Sequence, residues 1–348
     1  MKHFEFWNPR LFELPYYLYL GLGAARRLLR IKHLAKANYA LDHGEIGIGS
    51  KVATQFAFDQ THFLPTQALP ESLTDEEKAE LIRAFGETHG YPVIAKSDIG
   101  SVGKGVVKID AASDIASRVP QMQGPFLVQQ FTELNVEYGV FYVRQGGTGI
   151  ISGINRKHFP TVTGDGKSTV LQLAQRHERF TAHWQTFLQY ADVERVPAVG
   201  EQLQLSFIGS HTMGCKFTDD TASVTQALKE AVCQVFENQP GFNFGRLDVK
   251  AQSDEAFLRG EFVIIEVNGV ASLPTNMFDP KFSLWEGYRI FFRHARYLLD
   301  VAAEQRDQPM ELDSYAGMIR RARRNAAMLN ASHQELMGAK SGNTDSSG

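Results

Sequence analysis

Cysteine is nearly absent: the 348 residues hold two, Cys215 and Cys233. They lack C-x-x-C spacing, and two thiols are too few for a disulfide framework or a cysteine-based zinc site. A reducing cytoplasm is the simplest compartment for such a chain. Cys215 follows Gly214 with no evident histidine partner, so it reads as structural. Excess charge of one sign is also lacking: 36 Lys+Arg stand against 39 Asp+Glu. That balance argues against a surface coated for nucleic-acid phosphate. No uncharged stretch reaches the roughly 18–20 apolar residues of a spanning helix; Leu14 to Ala25 is uncharged but too short. His158, His177, His183 and His211 show no H-E-x-x-H-like spacing. Internal repeats are missing as well.

What remains is a globular composition, long enough for two or three lobes of roughly 100–200 residues. One asymmetry stands out. Residues 1–50 hold seven Lys+Arg against four Asp+Glu, mostly between Arg26 and Lys36, after an apolar, aromatic stretch from Phe4 to Ala25. Pro9, Pro15 and the late basic cluster do not fit a signal peptide. Aromatic residues followed by Arg26, Arg27, Arg30 and Lys32 suit a peripheral membrane contact through residues 4–36, at the inner face of a membrane. The simpler alternative is a helix packed on the rest of the chain with a basic exposed end.

From Lys51 onward helices and strands mix. Helices are expected over Lys51–Phe63, Leu73–His89, Ser168–Arg179, Ser223–Gln239 and Trp285–Ala303. Strands are expected over Val93–Lys96, Gly105–Ile109, Phe126–Phe131, Tyr138–Arg144, Gly149–Ile154, Gln204–Phe207, Gly245–Ala251 and Phe262–Val267. Without regular βαβ alternation, the class is α+β with mainly antiparallel sheets. The small, polar end from Ala339 reads as disordered.

Three constellations carry chemistry. The first runs from Tyr91 to Val107. A strand ends on Lys96, a loop bearing Gly100, Gly103 and Gly105 follows, and a second strand returns. Glycines let backbone N–H groups approach an anion closely, and a lysine adds a point charge for phosphate. An ordinary hairpin is the plain alternative. The second joins Gly245-Arg246-Leu247-Asp248-Val249-Lys250 to Phe262–Gly269. Strand alternation puts Arg246 with Asp248 and Glu266 with Asn268. Antiparallel pairing of 248 opposite 266 would gather three oxygen donors, a set that suits Mg²⁺ or Mn²⁺; a solvated polar face is the alternative. The third, Phe126–Phe131 followed by Glu137, could offer backbone to a flat base and a carboxylate to ribose, but alone it reads as an ordinary strand.

In this order, these segments resemble the ATP-grasp superfamily, over roughly Lys51 to Asp300. The likeness is to the D-alanine–D-alanine ligase branch and the ligase half of cyanophycin synthetases. PVIAKSDIGSVGKGV, FLVQQF, TVTGDGKSTVLQLA, SHTMGCKFTDDT, GRLDVK and FVIIEVNG carry it. The resemblance implies two α+β lobes clasping ATP, over residues 51–135 and 136–310. A segment 1–50 precedes them; a helix 311–338 and a tail 339–348 follow. It implies nucleotide contacts from Lys51, Lys96, Gly100, Ser101, Gly103, Gly105, Gln129, Gln130, Phe131, Thr132 and Glu137. Asp248, Glu266 and Asn268 would hold Mg²⁺ or Mn²⁺. Arg246, Lys96 and Lys216 would act on the transferred phosphoryl group, with Arg156 and Lys157 as further candidates on that side.

The implied activity is ligation of a carboxylate to an amine through an acyl-phosphate, with small-molecule substrates; a homodimer is also open to such a chain. A small-molecule kinase or a non-catalytic nucleotide-binding protein are the alternatives. Two departures matter. Gln129 stands where the family has a hinge carboxylate. Only fifty residues precede Lys51, where D-alanine–D-alanine ligases carry an α/β domain that helps bind the amino acid, so the dipeptide substrate does not carry over.

Overall fold

The computed structural model describes residues 3–47, 49–100, 105–179, 192–211 and 214–341. The first long helix, α1 (Pro9–Arg26), starts where Asn8 accepts a hydrogen bond from Arg10 N and Pro9 takes a position that needs no donor. Ser50 caps α2 (Lys51–Phe56). The single helix expected over Lys51–Phe63 stops at Phe56. Asp59 takes the Thr61 N–H at 2.8 Å and starts a separate 3₁₀ turn, Gln60–His62, the usual way a short polar side chain diverts a helix.

The first sheet is antiparallel in the order β1-β4-β2-β3. Its strands are β1 (Thr66–Leu69), β2 (Val93–Ser97), β3 (Val106–Ile109) and β4 (Phe126–Gln130). β1, not expected from sequence, is an edge strand between Pro65 and Pro70, where prolines are tolerated. Helix α3 (Asp75–His89) opens with a Thr74–Glu77 capping box and closes at Gly90, φ +84°. It packs Ile82 and Phe85 onto Val93, Ala95, Ile109, Phe126 and Val128. A short helix α4 (Ile115–Arg118) covers the same face.

The second sheet is antiparallel in the order β11-β10-β5-β6-β9. Its strands are β5 (Val136–Gln145), β6 (Thr148–His158), β9 (Lys216–Asp219), β10 (Phe244–Ala251) and β11 (Val263–Asn268). Between β6 and β9 lie β7 (Thr161–Thr163), α5 (Val170–Gln175) and β8 (Gln202–Gln204); β7 and β8 pair as a small ribbon. The sheet's back face, with Tyr138, Val140, Tyr142, Ile154, Leu247 and Val249, is sealed by α6 (Gln226–Glu237) and α7 (Asp254–Leu258) through Leu228, Val232, Phe236 and Phe257.

Helix α8 (Leu284–Glu304) lies against α1, and the two run parallel. Phe12 meets Tyr288 at 5.2 Å, Tyr16 stacks on Phe291 at 4.1 Å, and Arg27 pairs with Asp300 at 2.5 Å. A methyl group on Gly23 would stand 2.3 Å from Leu299 Cδ1, so glycine there lets the helices close up. The packed-helix reading therefore describes one face of α1. Helix α9 (Tyr315–Ser341) ends the described chain; 342–348 of the tail expected to be disordered lies outside the described residues. The class is α+β with two antiparallel sheets, as expected.

Candidate functional site

The front face of the second sheet is polar, and alternation explains how. Residues directly opposite one another in antiparallel strands share a face. Asp248 is opposite Glu266, and Arg246 opposite Asn268. Across β5, Lys250 is opposite Glu137, and across β6, Glu137 is opposite Lys157. These seven side chains form one patch while their neighbours in sequence face the apolar back. The patch borders a cavity of about 1050 Å³.

The first sheet supplies the facing wall. Val93 and Ala95 enter its core, so Ile94 and Lys96 point the other way, and both line the cavity with Gln129. Lys51, in the first turn of α2, reaches the same space. Its Nζ lies 3.3 Å from Glu266 and donates to Gly100 O.

Charge in the cavity is tightly paired. Lys157 Nζ sits 2.7 Å from Glu137 Oε1 and 2.9 Å from Asp248 Oδ1, with all three residues buried. Arg246 reaches Asp248 Oδ2 at 3.1 Å, and Asn268 Nδ2 donates to the same oxygen at 3.3 Å. Burial works against a charged Lys157, but Asp248 and Glu137 outweigh it and raise its pKa. Burial likewise opposes ionised Asp248, yet Arg246 and Lys157 hold its pKa below the usual carboxylate value. Lys96 differs. Desolvation dominates there, its pKa is lowered, and its Nζ donates to Ile265 O at 3.3 Å.

Lys51, Lys96, Gly100, Gln129, Gln130, Phe131, Thr132, Glu137, Arg246, Asp248, Glu266 and Asn268 all line this one cavity. Gln129 is buried and donates to Thr66 Oγ1 at 3.0 Å and Ile265 O at 3.4 Å. Gln130, one residue on, turns its side chain to His89 O, so its contact with the cavity runs through its backbone. Ser101 and Gly103 lie outside the described residues. Gly105 does not border the cavity; at φ +69°, with its carbonyl accepting from Ser97 N at 2.8 Å, it closes the hairpin.

Lys216 does not border the cavity either. It is opposite His158, while Lys157 is opposite Phe217, and it is Lys157 and Phe217 that face inward. Arg156 shares the outward face and pairs with Asp254 at 3.1 Å. A strand cannot send adjacent residues to one side, so of Arg156, Lys157 and Lys216 only Lys157 enters.

The sequence reading missed the N-terminal wall. Glu5, Phe6, Trp7, Pro9 and Glu13 line the cavity, as does Glu45. Glu5 anchors this wall: Arg179 Nη1 and Nη2 donate to its two oxygens at 3.1 and 3.2 Å, and His211 Nε2 lies 3.1 Å from Oε2. Glu45 accepts from Gly269 N at 2.6 Å and from the Thr54 hydroxyl, while burial raises its pKa. A three-dimensional neighbour of this kind leaves no spacing signal, because its partners are scattered from Thr54 to Gly269.

As a donor set for a metal, Asp248, Glu266 and Asn268 offer two carboxylates and an amide oxygen from paired strands. Asp248 Oδ1 is buried and faces Lys157 Nζ at 2.9 Å. No group of three or more His, Cys, Asp or Glu placed to hold a metal ion by themselves occurs among the described residues. Two carboxylates nonetheless fit Mg²⁺, which commonly uses one or two of them together with substrate phosphates.

No protein-family model matches the chain, and no curated sequence matches it. Solved structures do. Carboxyaminoimidazole ribonucleotide synthase from Aspergillus clavatus, complexed with ATP, is 12% identical with a TM-score of 0.41; the match covers 71% of this chain and 52% of that one. A bifunctional glutathione synthetase from Pasteurella multocida is 14% identical, TM-score 0.36, covering 70% and 36%. D-alanyl-alanine synthetase A from Vibrio cholerae is 14% identical, TM-score 0.41, covering 75% and 68%. This chain thus spans about half the length of the first and about a third of the second. Likenesses at this level say nothing of its substrate.

Proposed function

We propose that the chain is an ATP-dependent ligase of the ATP-grasp kind, joining a carboxylate to an amine. One observation carries the reading: Lys51, Lys96, Lys157 and Arg246 converge on a single cavity bordered by Asp248, Glu266 and Glu137. With Lys250 a fifth cation lines it, and several cations beside two carboxylates suited to a divalent metal favour polyphosphate over a neutral metabolite.

In this reading Lys51 and Lys96 hold phosphate from one wall, and Lys157 and Arg246 from the other. Gln129 and the backbone of 130–132 border the base, and Glu137 accepts a ribose hydroxyl. Mg²⁺ or Mn²⁺ held by Asp248, Glu266 and Asn268 would supply further neutralisation of phosphate charge. A carboxylate oxygen attacks the γ-phosphorus and ADP leaves. An amine then attacks the acyl carbon, and phosphate leaves as the amide forms and the nitrogen gives up a proton. The first step asks for alignment and charge neutralisation more than covalent help from the protein. Lys216 has no part in it.

Hydroxylamine trapping tests the reading. The purified chain, ATP, Mg²⁺ and a panel of amino acids, dipeptides and small carboxylates should release ADP with at least one carboxylate and yield its hydroxamate. ADP release that requires a hydroxyl acceptor and gives no hydroxamate would make the chain a kinase.

Gly209 offers a finer test. A methyl group there would stand 2.0 Å from Glu137 Oε1 and 3.0 Å from Lys157 Cδ. Gly209→Ala therefore crowds the Glu137–Lys157 pair. The KM for ATP is expected to rise about tenfold, equivalent to about 1.4 kcal/mol, with kcat less affected. An unchanged KM would remove Glu137 from the nucleotide site.

A further inference from the structure

Helix α1 is apolar on two opposite faces. Phe12, Tyr16, Leu20, Gly23 and Ala24 are buried. On the other side Leu11, Leu14, Leu18 and Leu22 recur at intervals of three and four residues and are 71%, 51%, 59% and 62% exposed. Ala25 continues the stripe, and Leu28, 85% exposed, extends it beyond the helix. A soluble helix normally shows water a polar face. Contiguous exposed leucines of this kind mark a surface that something else covers.

The surrounding charge says what. Arg10, Arg26 and Arg30 are exposed near the stripe, and Arg289, Arg293 and Arg296 are exposed on the neighbouring α8. None of the six forms an ion pair among the described residues. The stripe also has no polar side chain between its leucines: Pro15, Gly21 and Ala25 fill the intervening positions. A protein partner is usually held in register by about one hydrogen bond per 100–200 Å² of interface. A lipid surface asks for none. Apolar side chains flanked along the same segment by Arg10, Arg26 and Arg30 match acyl chains beneath anionic headgroups.

We propose that α1 docks the protein on an anionic lipid bilayer, with Leu11, Leu14, Leu18 and Leu22 entering the interface and the arginines meeting headgroup phosphates. No helix among the described residues is long and apolar enough to cross a membrane, so this is attachment to one leaflet. The N-terminal end of α1 also lines the cavity through Pro9 and Glu13. Docking therefore sets the cavity rim beside the headgroups.

Vesicle sedimentation of the full chain decides it, with phosphatidylcholine alone or mixed with 30% phosphatidylglycerol. The wild-type chain should partition at least tenfold better onto the anionic vesicles, and less so as salt rises. Leu18→Glu/Leu22→Glu and Arg26→Glu/Arg30→Glu should each lower that partition tenfold or more, with melting temperatures unchanged. Failure of the wild type to sediment would overturn the proposal, as would wild-type binding by both double variants. So would light scattering that shows a dimer split by Leu18→Glu/Leu22→Glu without vesicle binding, since a second copy would then be what covers the stripe.

Discussion

Glu266→Gln and Asp248→Asn should each cut ATP turnover by about a thousandfold or more, since even one lost donor to developing charge costs about 10²–10³ in kcat and these residues would also hold the metal. Their effects on stability should differ. Among the described residues Glu266 pairs with Lys51 alone, and the Lys51 ammonium keeps Gly100 O as acceptor. Replacing a partly exposed partner of that kind costs about 1 kcal/mol or less. Asp248 is 4% exposed and stands between Lys157 and Arg246. Asparagine keeps its shape and one acceptor, and Lys157 keeps Glu137, so the cost is a few kcal/mol at most. Steady-state ADP release with denaturant titration reads both quantities. Normal turnover by Glu266→Gln would refute the metal assignment.

The second large effect is on folding. Glu5→Ala strips the carboxylate from Arg179, whose side chain is 5% exposed. An unpaired buried charge costs about 3–5 kcal/mol. Glu5→Leu with Arg179→Met should cost much less, because neither charge then remains to be buried. A single-variant loss under about 1 kcal/mol would show that the pair does not secure the N-terminal wall. Acid should weaken the same clamp. Burial resists ionised Glu5, but hydrogen bonds from His211 and Arg179 outweigh it, and its pKa is lowered from 4.5. A depressed carboxylate stabilises the fold above its unfolded pKa. Its contribution falls as pH drops from about 4.5 through the lower folded value, and Glu5→Leu/Arg179→Met should be flatter over that range.

Much of the site could be read from strand parity alone. Arg246, Asp248, Glu266 and Asn268 share a face because they alternate, and a short connection made their strands pair. The same rule, applied to Arg156 and Lys157, admits only one of them, but the sequence does not say which. That choice rests on the register of β6 against β5 and β9, which sets Lys157 opposite Glu137 and Phe217. Lys216 is open to either face for the same reason: a single lysine next to a Gly-Cys turn has no parity until its partner strand is known. The helix begun by Lys51 ends earlier than its apolar spacing suggests because Asp59 offers the chain a competing turn. The N-terminal wall was illegible for a different reason. Glu5, Arg179 and His211 meet only after the whole chain has folded, and no periodicity links them.

Arg27 and its partner Asp300 are 273 residues apart in the chain. At roughly 5–20 residues per second, a ribosome needs on the order of tens of seconds to make what lies between them. Throughout that interval α8 does not exist, and Phe12, Tyr16 and Leu20 are as bare as Leu11 and Leu18. An apolar stretch is thus made well before the helix that gives it intramolecular cover. Any surface that shelters α1 in the meantime, whether a chaperone or a bilayer, acts on the yield of folded protein before it acts on the protein's activity.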